Sequence, residues 1–142
     1  MNERSAIRDL SDKELSRCIA EKLEPEPERG LPYWKRCEIP CSACDGTGAN
    51  ADRTASCRRC QGYGKVYSRC PRDMVNDAAM TVMLLERGLG SLDWVSDGDF
   101  KMWRGGFERQ DHSRIEYVTA KTLGRAVAEA FALANGFDGE AQ

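Results

Sequence analysis

Four cysteines, Cys41, Cys44, Cys57 and Cys60, stand in two C-x-x-C pairs, and a G-x-G follows each: Gly46 and Gly48, then Gly62 and Gly64. A two-residue gap lets a tight turn present both thiolates of a pair to one ion, so two pairs complete the tetrahedral shell of a single zinc. The glycines allow the chain to reverse just past each pair, because a residue without Cβ takes positive φ at no steric cost. Amides in such a turn point at the thiolates and offset their charge. Four sulfur ligands leave no position for water, so the expected role is structural, not catalytic. The competing reading is that the cysteines form disulfides or sit as small core residues. The segment Met1 to Asp9 is charged from the start and lacks the apolar run of a signal peptide, which argues for a compartment where thiols stay reduced.

The doubled C-x-x-C-x-G-x-G resembles the cysteine-rich zinc finger of DnaJ-type co-chaperones, which carry four such repeats and bind two zinc ions. With two repeats here, the resemblance implies one zinc, held by Cys41, Cys44, Cys57 and Cys60. Similar two-repeat modules occur in proteins of differing activity, some phage antitermination proteins among them, so the resemblance implies the metal and not the activity. Cys37 and Cys70 flank the four almost symmetrically. They are spare thiols, or one displaces a ligand; the lack of a following glycine pair argues against displacement.

The elements that must position this module are legible on both sides of it. Ser11 and Glu14 make a capping box, and Leu10 and Leu15 a hydrophobic staple, at the start of a helix over 11–24. Leu15, Cys18, Ile19 and Leu23 share one face of that helix, which makes Cys18 a small core residue. Pro25 and Pro27 stop the helix, and the Glu-Pro-Glu-Pro-Glu run at 24–28 reads as an extended acidic linker. Residues 72–88 read as a second helix with its start between Pro71 and Asn76. Val75, Ala78, Ala79, Val82, Leu85 and Leu89 lie on or near its stripe, Gly88 is its C′ residue, and Met74, Met80 and Met83 fill core gaps. Beyond Gly90, short alternating runs predict three strands: through Leu92 and Trp94, through Phe100, Met102 and Phe107, and through Ile115, Tyr117 and Val118. Turns fall at 96–99 and 110–113, with a bulge expected at Gly105-Gly106. His112, in the second turn, is expected to be exposed rather than a ligand or base. Leu123, Ala126, Val127, Ala130, Phe131 and Ala134 recur at helical spacing, with Thr122 as N-cap and Asn135-Gly136 as the end.

Leu10 to Glu24 and Asn76 to Gly136 look like the phage ABA sandwich domain, a small domain of bacteriophages and prophages. Asp77-Ala-Ala and Thr122 with Ala126-Val127 carry the match; the long insertion between the first two helices and Gly124, where proline is usual, depart from it. The expected fold is therefore α+β: a small antiparallel three-stranded sheet packed with helices, formed by residues 1–30 and 71–142, with a zinc finger inserted at 35–70. The metal supplies such a finger's own folding energy, on the order of 10 kcal/mol in structural zinc peptides, so the host core need not stabilise it.

The 142 residues carry a net charge of −2 and no apolar run approaching the ~20 residues that span a bilayer, which predicts a soluble protein of the bacterial cytoplasm. Residues 35–72 hold eight basic and three acidic side chains, a net +5, and the remainder carries −7. One zinc on four thiolates lowers the segment to +3, short of a nucleic-acid footprint. There is no Ser/His/Asp set and no phosphate-binding glycine loop followed by Lys-Ser or Lys-Thr, and the carboxylates fall on polar helix faces or in turns, so an enzyme is not expected. The reading is a phage or prophage accessory protein that binds a host or phage protein, in counter-defence or in takeover of host regulation. The alternative is a regulator that binds nucleic acid through the basic finger, like an antiterminator. Tyr33, Trp34, Arg58, Arg59 and Tyr63 are the expected contact surface, since aromatic and arginine side chains dominate interface energies. For Tyr33 and Trp34 an exposed anchor and packing at the base of the finger stay open. Self-association stays open too.

Overall fold

A computed structural model of the chain describes residues 3–25 and 32–136. In chain order the elements are α1 (Glu3–Arg8), α2 (Asp12–Leu23), β1 (Trp34–Pro40), β2 (Lys65–Pro71), α3 (Ala78–Gly88), β3 (Ser91–Asp97), β4 (Phe100–Glu108), β5 (Ile115–Ala120) and α4 (Leu123–Ala134). The fold class is α+β, with two small antiparallel sheets: β1-β2 and β3-β4-β5. The chain divides into two compact units, Met1–Tyr33 with Pro71–Gln142, and Trp34–Cys70. No helix among the described residues is long and apolar enough to cross a membrane. The expected acidic linker lies mostly outside the described residues.

In the first unit α4 is the central element. It packs on β4 and β5, and α1, α2 and α3 each pack on α4. From Ala126 to Ala134 every residue of α4 is buried, so its alanines let neighbours approach on several sides. Phe107 of β4 meets Phe131 of α4 edge to face, with ring centroids 5.4 Å apart, the geometry the ring quadrupoles favour. Leu15, Ile19 and Cys18 of α2 and Leu84 and Met80 of α3 complete the core. The caps form as the sequence requires: Ser11 Oγ accepts from the Glu14 N–H at 3.1 Å, and Thr122 Oγ1 from the Arg125 N–H at 3.3 Å.

Four expectations change. The helix expected over 72–88 begins only at Ala78. Asp73 accepts from the Val75 and Asn76 N–H groups, both at 2.9 Å, and this Asx turn competes with helical hydrogen bonding until Asp77 caps the true start. Its end shifts as well: Gly88 is still helical and Leu89 takes the left-handed conformation at φ 52°. Ala78, Ala79, Val82 and Leu89, placed on the core stripe by periodicity, are exposed, and the helix buries Met80, Thr81 and Leu84 instead. There is no bulge at Gly105-Gly106, because the pairing runs unbroken from Ser91↔Gly106 to Asp97↔Phe100 and from Trp103↔Ala120 to Glu108↔Ile115. A Cβ on Gly105 would stand 2.7 Å from the Ala126 carbonyl oxygen, so that glycine serves the close approach of α4. Finally, α1 is a further helix, six residues long, that periodicity did not reveal; its Ile7 is fully buried. A helix that short depends on tertiary packing for its stability.

Candidate metal centre

The second unit is built from two near-identical loops hung on the β1-β2 ladder. In each loop the residue two beyond the second cysteine donates its N–H to the carbonyl of the first: Gly46 to Cys41 at 3.0 Å and Gly62 to Cys57 at 3.2 Å. Thr47 and Tyr63 then donate to the carbonyls of Cys44 and Cys60, at 3.0 and 3.1 Å. The loops also clasp each other. Cys41 N–H donates to Gly64 O at 2.9 Å and Cys57 N–H to Gly48 O at 3.0 Å, a reciprocal pair that mirrors the sequence repeat.

Gly48 and Gly64 are where glycine is required. Their φ values are 80° and 77°, and a Cβ would lie 2.5 Å from Gly62 O in the one case and 2.6 Å from Gly46 O in the other. At these two points backbone meets backbone across the module. Their amides also face the sulfurs: the Gly48 N–H donates to Cys44 Sγ at 3.3 Å and the Gly64 N–H to Cys60 Sγ at 3.2 Å.

All four sulfurs lie within 4.8 Å of one another and all four cysteines are buried. Cys41 Sγ is 3.9 Å from Cys57 Sγ, and Cys44 Sγ is 3.6 Å from Cys60 Sγ. A zinc with about 2.3 Å bonds to tetrahedral thiolates would hold its sulfurs about 3.8 Å apart, so the thiols fit one zinc ion. Burial pushes both thiols of the first pair up. At Cys41 it prevails over the Ala43 and Cys44 N–H groups, and the pKa rises to about 11. At Cys44 the Gly48 N–H and the three neighbouring cysteines outweigh burial, and the pKa falls to about 6. A divalent cation would supply the charge that lets the four sulfurs ionise together, with release of protons.

The other residues singled out by sequence fall into place differently. Arg58 and Arg59, between Cys57 and Cys60, are exposed, and Tyr63 is 76% exposed. Tyr33 and Trp34 are each only 5% exposed, which removes them from an exposed contact surface. The Tyr33 hydroxyl accepts from Arg87 Nη1 at 2.9 Å, so its polar tip is satisfied inside the first unit. Cys37 and Cys70 are neither spare thiols nor ligands. They form a disulfide across β1 and β2, with Cα atoms 5.9 Å apart, because strand pairing sets the two flanks of the finger side by side, and this bond departs from the expectation that all the thiols stay reduced. Cys18 stays a buried thiol in α2, and His112 is exposed beside Glu108, as the sequence implies. The exposed pairing of Arg36 with Tyr67, guanidinium 3.8 Å from the ring centroid, was missed; only the β1-β2 pairing brings the two together.

A stretch of 32 residues is 47% identical to a chaperone protein DnaJ of a Nitratiruptor species; it makes up 22% of this chain and 9% of that protein. The chain thus spans less than a tenth of the curated relative it matches. No protein-family model matches the chain, and no solved structure does. The local likeness and the cysteine cluster agree on a zinc finger of the DnaJ type.

Proposed function

We propose that the chain is a phage or prophage accessory protein whose zinc-stabilised finger docks on a host protein in the bacterial cytoplasm, in counter-defence or to redirect host regulation, without catalysing a reaction itself. One observation carries this reading: the same short loop that buries Cys57 and Cys60 throws Arg58, Arg59 and Tyr63 outward. A closed sulfur shell does no chemistry on a substrate, but it holds such side chains rigidly, and rigid arginine and aromatic groups dominate interface energies. The phage setting rests on the resemblance of the two flanking segments to the phage ABA sandwich domain.

The test is affinity purification from the native host with the wild-type protein and with an Arg58→Ala, Arg59→Ala variant. A specific protein partner should be recovered with the wild type and weakened at least tenfold in the variant, at unchanged zinc content and fold. The nucleic-acid reading wins instead if the purified protein binds duplex or single-stranded nucleic acid at submicromolar strength near physiological salt. The slope of affinity in log salt would then fall when the two arginines are removed.

A further inference from the structure

A folding unit below about 40 residues ordinarily needs a metal, a disulfide or a partner chain to supplement its core. The unit Trp34–Cys70 is of that size and carries two of these devices, the four-sulfur cluster and the Cys37–Cys70 disulfide. Around the sulfurs it buries little else. Val66 is only partly buried against them, and Ile39, Tyr63 and Tyr67 are exposed. Zinc binding is therefore coupled to folding of the finger, since a module without an apolar core assembles its ligands only as the ion arrives.

The disulfide is placed to act on that coupling. Cys41, Cys44, Cys57 and Cys60 all lie between Cys37 and Cys70 in the chain, so the bond closes a loop that contains the whole metal centre, with a sequence separation of 33. Closing a loop removes conformations from the unfolded chain. At that separation the entropy removed corresponds to roughly 500-fold in the folding equilibrium, an upper bound that real disulfides often fall short of. Because zinc takes the folded finger, its affinity rises with that equilibrium. The two sets of sulfurs also differ in access. Cys37 and Cys70 are half-buried whereas the four ligand cysteines are buried, so a soluble thiol reaches the bond more readily than the metal centre.

We propose that Cys37 and Cys70 form a reversible redox site that sets how tightly the finger holds zinc. Bonded, they hold the ion firmly; reduction by a small thiol such as glutathione loosens it. The thiolate of one glutathione attacks a sulfur of the bond, forming a mixed disulfide and releasing the other cysteine. A second glutathione then attacks the glutathione sulfur of that mixed disulfide and releases the remaining cysteine. Two electrons pass to the pair, each cysteine ends as a thiol carrying a proton from one glutathione, and one glutathione disulfide leaves. Oxidation is the reverse reaction with glutathione disulfide. The effect is mutual by linkage: the factor by which the bond raises zinc affinity is the factor by which zinc resists reduction of the bond. The site acts on the finger's own metal affinity, whatever the finger binds.

The test uses the full chain in anaerobic buffer. Chelator competition compares the zinc affinity of the oxidised wild type with that of a Cys37→Ser, Cys70→Ser variant, which cannot form the bond. The variant should bind zinc at least about tenfold more weakly, well inside the loop-entropy bound. Separately, wild type is equilibrated in glutathione buffers with and without zinc, and the bond between Cys37 and Cys70 is read by alkylation and mass spectrometry. With zinc, opening half of the bonds should need a ratio of squared thiol to disulfide concentration at least about tenfold higher. This second measurement needs no substitution, so it decides the matter if thermal melts show that the double variant is unfolded. The proposal is overturned if either factor, measured on folded protein, falls below about tenfold, or if glutathione disulfide does not form the bond in the wild type. Protein that takes up no zinc in either redox state overturns both this proposal and the four-sulfur site.

Discussion

Replacing Glu116 by Gln should destabilise the first unit by about 2 kcal/mol at pH 7, and the loss should vanish in acid. Glu116 lies on β5 with its side chain 5% exposed, and three arginines converge on it: Arg114 Nε at 2.7 Å, Arg4 Nη2 at 2.8 Å and Arg109 Nη1 at 3.0 Å. Removing one partner of a buried ion pair costs about 3–5 kcal/mol when the other charge is stranded. Here Arg4 and Arg114 are 45% and 68% exposed and regain water, so only Arg109, at 20%, is left poorly solvated. Glutamine also keeps one acceptor oxygen. Those two facts bring the expectation down to about 2 kcal/mol, a fall in Tm of roughly 8 °C or more for a unit of this size.

The pH dependence has a definite sign. Burial pushes the Glu116 carboxyl up, but hydrogen bonds from Arg114 and Arg109 outweigh it, and the folded pKa lies below the ordinary value. The stability it contributes is therefore fully present above the unfolded pKa of about 4.3 and is lost as the pH falls from there through the folded value. Urea denaturation of both proteins, from pH 7 down to pH 3, measures the difference at each step. Protonation of the zinc thiolates weakens both proteins alike and cancels in that difference. A gap under about 0.5 kcal/mol at pH 7, or one that stays constant down to pH 3, would refute the assignment of a stabilising ionised carboxylate at this position.

Two further outcomes follow from the metal centre. Freshly purified protein should hold one zinc per chain by elemental analysis; Cys60→Ser should abolish binding, whereas Cys18→Ser, at the buried thiol in α2, should leave it intact, and two zincs or none would contradict the four-sulfur site. Chelation should strip hydrogen-exchange protection from residues 41–64 while α2 and α4 keep theirs, and loss of protection in both together would show that the two units do not fold independently.

How far the sequence alone reaches can be judged residue by residue. The two C-x-x-C-x-G-x-G repeats sufficed to pick out the four cysteines whose sulfurs the fold gathers, because a metal half-site is local: a single tight turn fixes both thiolates, and the glycines that permit the turn stand beside them. The caps at Ser11 and Thr122 and the core faces of α2 and α4 were legible for the same reason, since each depends on neighbours within one or two turns. What was misread depended mostly on residues distant in sequence. Asp73 defeats a helix start that periodicity favours, Gly105 answers to α4 rather than to a bulge, and Tyr33 and Trp34 turn inward. Cys37 finds Cys70 only because the strands flanking the finger pair. Local pattern therefore determined the metal centre, while the contact surfaces were decided by tertiary structure, where burial is a property of what arrives from elsewhere in the chain.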